Sequence, residues 1–78
     1  MSNHDVAKIL DLKGLPCPMP VVKISQEIGS VSVGQIIEVL TTDPGSISDF
    51  PAWAKTTGNE VLETVQGEPI KIYVKRLK

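Results

Sequence analysis

Prolines occupy positions 16, 18 and 20, and they settle what that stretch cannot be. A proline has no backbone N–H, so Lys13-Gly14-Leu15-Pro16-Cys17-Pro18-Met19-Pro20 cannot be the interior of a strand. The same residues suit the entry to a helix. The first four N–H groups of any helix have no partner inside it, so a proline there forfeits nothing. The spacing predicts a loop that runs straight into a helix, with Cys17 at or next to the N-cap.

The residues that follow agree. Val21, Ile24, Ser25 and Ile28 recur at i, i+3, i+4 and i+7, with Lys23, Gln26 and Glu27 on the other side and Gly29 as a stop. Upstream, Val6 to Leu12 alternates as a strand, with Lys8 off the pattern. Downstream, Val33-Gly34 reads as a turn and Gln35 to Thr41 as a buried strand rich in β-branched residues. A short helix then carries Ile47, Phe50, Trp53 and Ala54. Its cap is either Asp43 before Pro44 or Ser46 paired with Asp49. Pro51 is expected to kink or split it, and Gly58-Asn59 to end it. Strands at Glu60 to Gln66 and Pro69 to Leu77 close the chain around a Gly67-Glu68 turn. The order is βαβαββ. Two strand–helix–strand units imply parallel pairs, and the final hairpin adds an antiparallel strand. Two helices cover one face of a sheet, so the fold class is an α/β two-layer sandwich.

A chain of 78 residues has room for one domain, taken as residues 1–78 with residues 1–5 expected to be flexible. Eight Lys and Arg against nine Asp and Glu give a net charge of −1, without the basic excess that direct nucleic-acid binding needs. No stretch is apolar for the ~20 residues of a membrane span, and Met1 to Asp5 has no apolar signal core behind it. The expected location is the cytoplasm. A single cysteine excludes an internal disulfide, a thiolate metal cluster and a Cys-x-x-Cys pair. No cofactor or metal is expected.

Cys17 is the candidate nucleophile. A free cysteine is often only a small buried hydrophobe. Here it sits between two prolines ahead of a helix, whose N-terminus carries roughly half a positive charge. A thiolate there is stabilised, so its pKa falls below the free value of about 8.5, and Lys13 could add to the effect. A cysteine hydrolase also needs an oriented base. The one histidine, His4, falls in the polar terminus. Self-contained catalysis is therefore not expected. A thiol without a base suits a residue that accepts an activated group and passes it on.

The run from Asp11 to Pro20 closely resembles the signature of the TusA-like (SirA-like) sulfur carrier proteins, whose core is Cys-Pro-x-Pro at the start of the first helix. Asp43-Pro44-Gly45, Pro51-Ala52-Trp53 and Thr57-Gly58-Asn59-Glu60 are also similar to that family. The resemblance implies a four-stranded mixed sheet under two helices, with the last strand antiparallel to the rest. It implies that Cys17 takes sulfane sulfur as a persulfide, in a loop and helix start formed by Gly14, Leu15, Pro16, Pro18 and Pro20. The implied partners are a cysteine desulfurase or rhodanese-type donor and a downstream acceptor protein. The implied destinations are tRNA thiolation, molybdenum-cofactor maturation or sulfur oxidation.

Two other readings compete. A thiol redox sensor could also use one low-pKa cysteine, though no resolving cysteine is present. A nucleic-acid or ribosome-binding module fits the fold but not the charge. Lys71, Lys75, Arg76 and Lys78 place half of the basic residues in the last eight positions, either as a solvated strand face or as a docking patch. Leu15, Met19 and Lys23 are the nearest candidates for a docking surface beside Cys17. Phe50 and Trp53 are expected in the core, and Asp11 as a hydrogen-bonding residue at a strand end.

Overall fold

The computed structural model describes residues 5–16 and 18–78. Cys17, His4 and most of the segment expected to be flexible lie outside the described residues. The elements run β1 (Val6–Asp11), α1 (Met19–Glu27), a single 3-10 turn (Ile28–Ser30), β2 (Ile36–Thr41), α2 (Ser46–Thr57), β3 (Glu60–Val65) and β4 (Ile70–Lys75). This is the expected βαβαββ order, with the strand ends trimmed by one or two residues.

The sheet order is β1-β2-β4-β3. β1 and β2 are parallel, and β4 runs antiparallel to both of its neighbours. The expectation of parallel pairs holds once only. β4 lies between β2 and β3, so the second strand–helix–strand unit joins strands that do not touch. The result is a four-stranded mixed sheet with the last strand antiparallel to the others.

The alternation of side chains decides which face is covered. Leu10, Val39 and Ile72 form one cross-strand row, and Ile37 and Val74 another, all buried. Ile24 of α1 and Phe50, Trp53 and Ala54 of α2 complete this core. The Phe50 and Trp53 rings lie 6.4 Å apart at 56°, a tilted pairing favourable to aromatic quadrupoles. Burying such side chains contributes about 1.5–3 kcal/mol each.

Lys8 pairs with Ile37, so its register puts it on the covered face. β1 is an edge strand, and the Lys8 ammonium reaches round to Glu27 at the end of α1 and to Ser30 Oγ at 3.1 Å. The residue that broke the strand pattern thus ties the sheet edge to the end of α1.

Three local expectations need correction. Helical spacing puts Ser25 on the inner stripe of α1, yet it is exposed. Ile24 is the centre of that stripe, with Pro20 buried at i−4 and Val21 and Ile28 packed at i−3 and i+4. Neither proposed cap starts α2, whose N-cap is Gly45. Asp43 instead accepts from the Gly45 N–H at 3.1 Å and shapes the approach. Pro51 does not split α2, which continues unbroken to Thr57. Gly58 stops it with φ +78°, a backbone conformation open to glycine.

Candidate functional site

The loop between β1 and α1 leaves the sheet at the carboxyl end of β1, beside the equivalent end of β2. Leu12 is buried, and its N–H extends the pairing to the Leu40 carbonyl at 2.7 Å. Gly14 follows with φ +83°. A Cβ there would meet nothing within 4 Å, so glycine serves backbone conformation rather than space. The Gly14 N–H donates to Thr42 Oγ1 at 2.9 Å, fixing the loop to the residue after β2. Asp11 caps the strand end by accepting from the Lys13 N–H at 3.2 Å, as expected.

Beyond Gly14 the loop is held from within. The Leu15 N–H donates to the Leu12 carbonyl at 3.2 Å, and the Leu15 side chain packs against the core. Leu15 therefore anchors the loop while remaining half-buried. Pro16 and Pro18 are both exposed. The Met19 N–H donates to the Pro16 carbonyl at 2.8 Å, tying together the chain on either side of position 17. Pro18 is the N-cap of α1, which makes Cys17 the residue before the cap in sequence. Pro20 is fully buried and pins the first turn of α1 to the body of the protein.

The electrostatics of this helix start differ in detail from expectation. Pro18 and Pro20 have no N–H, Met19 donates to Pro16, and the Val22 N–H donates to the Pro18 carbonyl at 3.2 Å. Among the described residues, the Met19 and Val22 amides already have acceptors, and the two prolines have no amide N–H to offer. The helix start thus offers its dipole more than a fan of free donors. The first turn holds no acidic residue to cancel that dipole. The Lys13 ammonium lies 3.8 Å from an Asp11 carboxylate oxygen, and both side chains are about half exposed. Part of its charge is therefore spent on Asp11.

A cleft of about 450 Å3 opens beside Pro18, between α1 and α2. It is lined by Pro18 and Val21 from one helix and by Asp49, Ala52, Trp53 and Thr56 from the other. Sequence reading did not find it, because periodicity assigns Trp53 to the core without saying that its neighbours at i−4, i−1 and i+3 stay open. Trp53 does belong to the core, yet its indole N–H is buried without an acceptor among the described residues.

The basic C-terminal residues do not form one patch. Lys71 and Lys75 share the open sheet face with Glu38, Glu63 and Tyr73. Arg76 donates to the Val31 carbonyl at 2.6 Å and to the Lys78 carbonyl at 2.7 Å. A Tyr73 hydrogen bond to Glu38, aided by burial and by Glu63, raises the phenol above its ordinary value. Among the described residues no helix is long and apolar enough to cross a membrane.

Comparison with known proteins agrees with this architecture. The crystal structure of a SirA-like protein from Desulfitobacterium hafniense superposes with a TM-score of 0.77 at 19% identity, covering 91% of this chain and 99% of that one. The sulfur carrier protein TusA of Allochromatium vinosum is 45% identical over 60 residues, covering 77% of this chain and 79% of its own. A Halobacterium salinarum protein, named as a candidate sulfur carrier, is 43% identical over 79 residues, covering 99% of this chain and 98% of its own. The model of the family described as sulfurtransferase TusA matches residues 8–76. With nearly the whole sequence matched and the fold in agreement, the chain belongs to the TusA family of sulfur carriers.

Proposed function

We propose that Cys17 carries sulfane sulfur as a persulfide between a cytoplasmic donor, a cysteine desulfurase or rhodanese-type enzyme, and an acceptor protein. One observation carries the reading: in a chain of the sulfur carrier family, the only cysteine falls between two exposed prolines at the residue before the α1 N-cap. The loop residues Gly14, Leu15, Pro16, Pro18 and Pro20 have supporting roles, holding the chain on both sides of that position.

The chemistry needs no base. The Cys17 thiolate attacks the outer sulfur of the donor persulfide. The donor's sulfur–sulfur bond breaks, its own thiolate leaves, and the new sulfur–sulfur bond on Cys17 conserves the oxidation level. Delivery repeats the exchange with Cys17 as the leaving thiolate. A lowered thiol pKa helps both steps, since it populates the attacking thiolate and speeds its departure. The acceptor could serve tRNA thiolation, molybdenum-cofactor maturation or sulfur oxidation.

Incubation with a desulfurase and cysteine, or a rhodanese and thiosulfate, tests this by intact mass. The expected product gains sulfur, loses it to reductant, and does not form in Cys17→Ser. Failure of both donors, with ready oxidation by peroxide that alters partner binding, would replace this reading with the redox sensor.

A further inference from the structure

We infer that Thr42 is a positioning residue for Cys17: its hydroxyl clamps the β1–α1 loop at Gly14, and the clamp holds the stretch that carries position 17 against the start of α1. The purpose of the clamp rests on the sulfur-carrier reading. The Gly14 N–H donates to Thr42 Oγ1 at 2.9 Å, across 28 residues of sequence. The other bonds described for this loop are of different kinds. Those of Lys13 to Asp11, Leu15 to Leu12 and Met19 to Pro16 are local, and that of Leu12 to Leu40 extends the sheet. Thr42 supplies a side-chain hold from a distant part of the chain.

Both ends of the clamp are built for it. Gly14 takes φ +83°, although a Cβ there would meet nothing within 4 Å. The glycine is not there to make space; its conformation turns the N–H toward Thr42. On the other side, Thr41 is fully buried and pairs with Ile70 of β4. The Asp43 N–H donates to Thr41 Oγ1 at 3.1 Å, and Asp43 Oδ1 accepts from the Gly45 N–H at 3.1 Å. A main chain fixed before and after Thr42, with a β-branched side chain, leaves the hydroxyl few positions. From Gly14 the path to position 17 is short and stiff. Leu15 packs on the core, and the Pro16 ring fixes its own φ. A loop released at Gly14 would let position 17 drift from the positive end of α1, whose influence fades within about one turn. Thr42 itself is exposed, so replacing it removes the clamp without opening the core.

Alkylation of Cys17 by iodoacetamide, followed against pH, reads the thiol without any sulfur donor. Thr42→Val and Thr42→Ala remove the hydroxyl, and Thr42→Ser keeps it. The two former variants should raise the inflection by about 0.4–1 pH unit, which is what one neutral hydrogen bond is worth. Their deficit in rate belongs below the free thiol value of about 8.5. Above it they should react as fast as wild type or faster, because a more basic thiolate is more nucleophilic. Thr42→Ser should keep the wild-type profile, and urea midpoints should stay close to wild type in all three. A wild-type inflection in Thr42→Val or Thr42→Ala, or an equal upward shift in Thr42→Ser, would overturn the inference and leave the carrier reading standing. Wild-type protein that takes no sulfur from a desulfurase or a rhodanese would overturn the carrier reading, while the alkylation profile would still decide the role of Thr42.

Discussion

Ile24 shows how much one residue can hold in so small a domain. It is fully buried, the only α1 side chain besides Pro20 to be so, and it joins the helix to the sheet. Ile24→Ala should cost about 2–5 kcal/mol, much of the total stability of a domain this size. Urea denaturation would show it; an unchanged midpoint would mean that α1 does not dock through this face. Lys8 makes a different point. Its hydrogen bond and charge hold the Glu27 carboxyl below its ordinary 4.5, with a smaller contribution from Lys23. A depressed carboxyl stabilises the fold above its unfolded pKa, and that contribution is lost as pH falls through the folded value. Lys8→Met should therefore return Glu27 toward 4.5 in an NMR titration. A Glu27 pKa indifferent to Lys8 would contradict the pairing. The sequence marked Lys8 as anomalous but could not explain it, because the answer depends on its being at a sheet edge opposite the end of α1. Ser25 misled in the other direction: three apolar neighbours at helical spacing drew it into a stripe whose centre, Ile24, lies about 100° away.

At the scale of elements, boundaries followed from local chemistry and continuity did not. The triple proline correctly marked the start of α1, since proline's constraints act within a few residues. Pro51 obeys the same constraints yet fails to break α2. It denies the Ile47 carbonyl its usual partner, but Phe50, Trp53 and Ala54 on the adjoining turns are buried against the sheet. Packing outweighs the local penalty. Pro51→Ala should thus restore a helical hydrogen bond and stabilise the protein by about 1–2 kcal/mol, the helix penalty of proline less its entropic effect on the unfolded chain. A lower denaturation midpoint in this variant would show that the helix has already adapted. The open face of the sheet carries its own pH dependence. The Glu38 hydrogen bond keeps Tyr73 protonated beyond its ordinary 10.0, so that contribution is intact below 10.0 and is lost as pH rises through the folded value. Glu38→Gln should move the phenol's absorbance titration downward; no movement would remove Glu38 as the cause.

For the whole molecule, strand count and element order were legible because each rests on periodicity within the chain. The insertion of β4 between β2 and β3 was not, since pairing between distant segments leaves no local mark. Of the candidate site, the thiol and its proline frame could be read directly from Leu15 to Pro20. The cleft could not, because it exists only where two helices far apart in sequence diverge. The molecule as a whole is then a scaffold that brings one loop, one helix start and one cleft to the same end. On the proposed function, position 17 holds sulfur in transit. Thiosulfate radiolabelled in its outer sulfur, with a rhodanese, should place label on the protein. After separation, the label should pass to fresh unloaded rhodanese without added reductant, and Cys17→Ser should carry none. Label that never binds, or that binds equally to Cys17→Ser, would contradict the account.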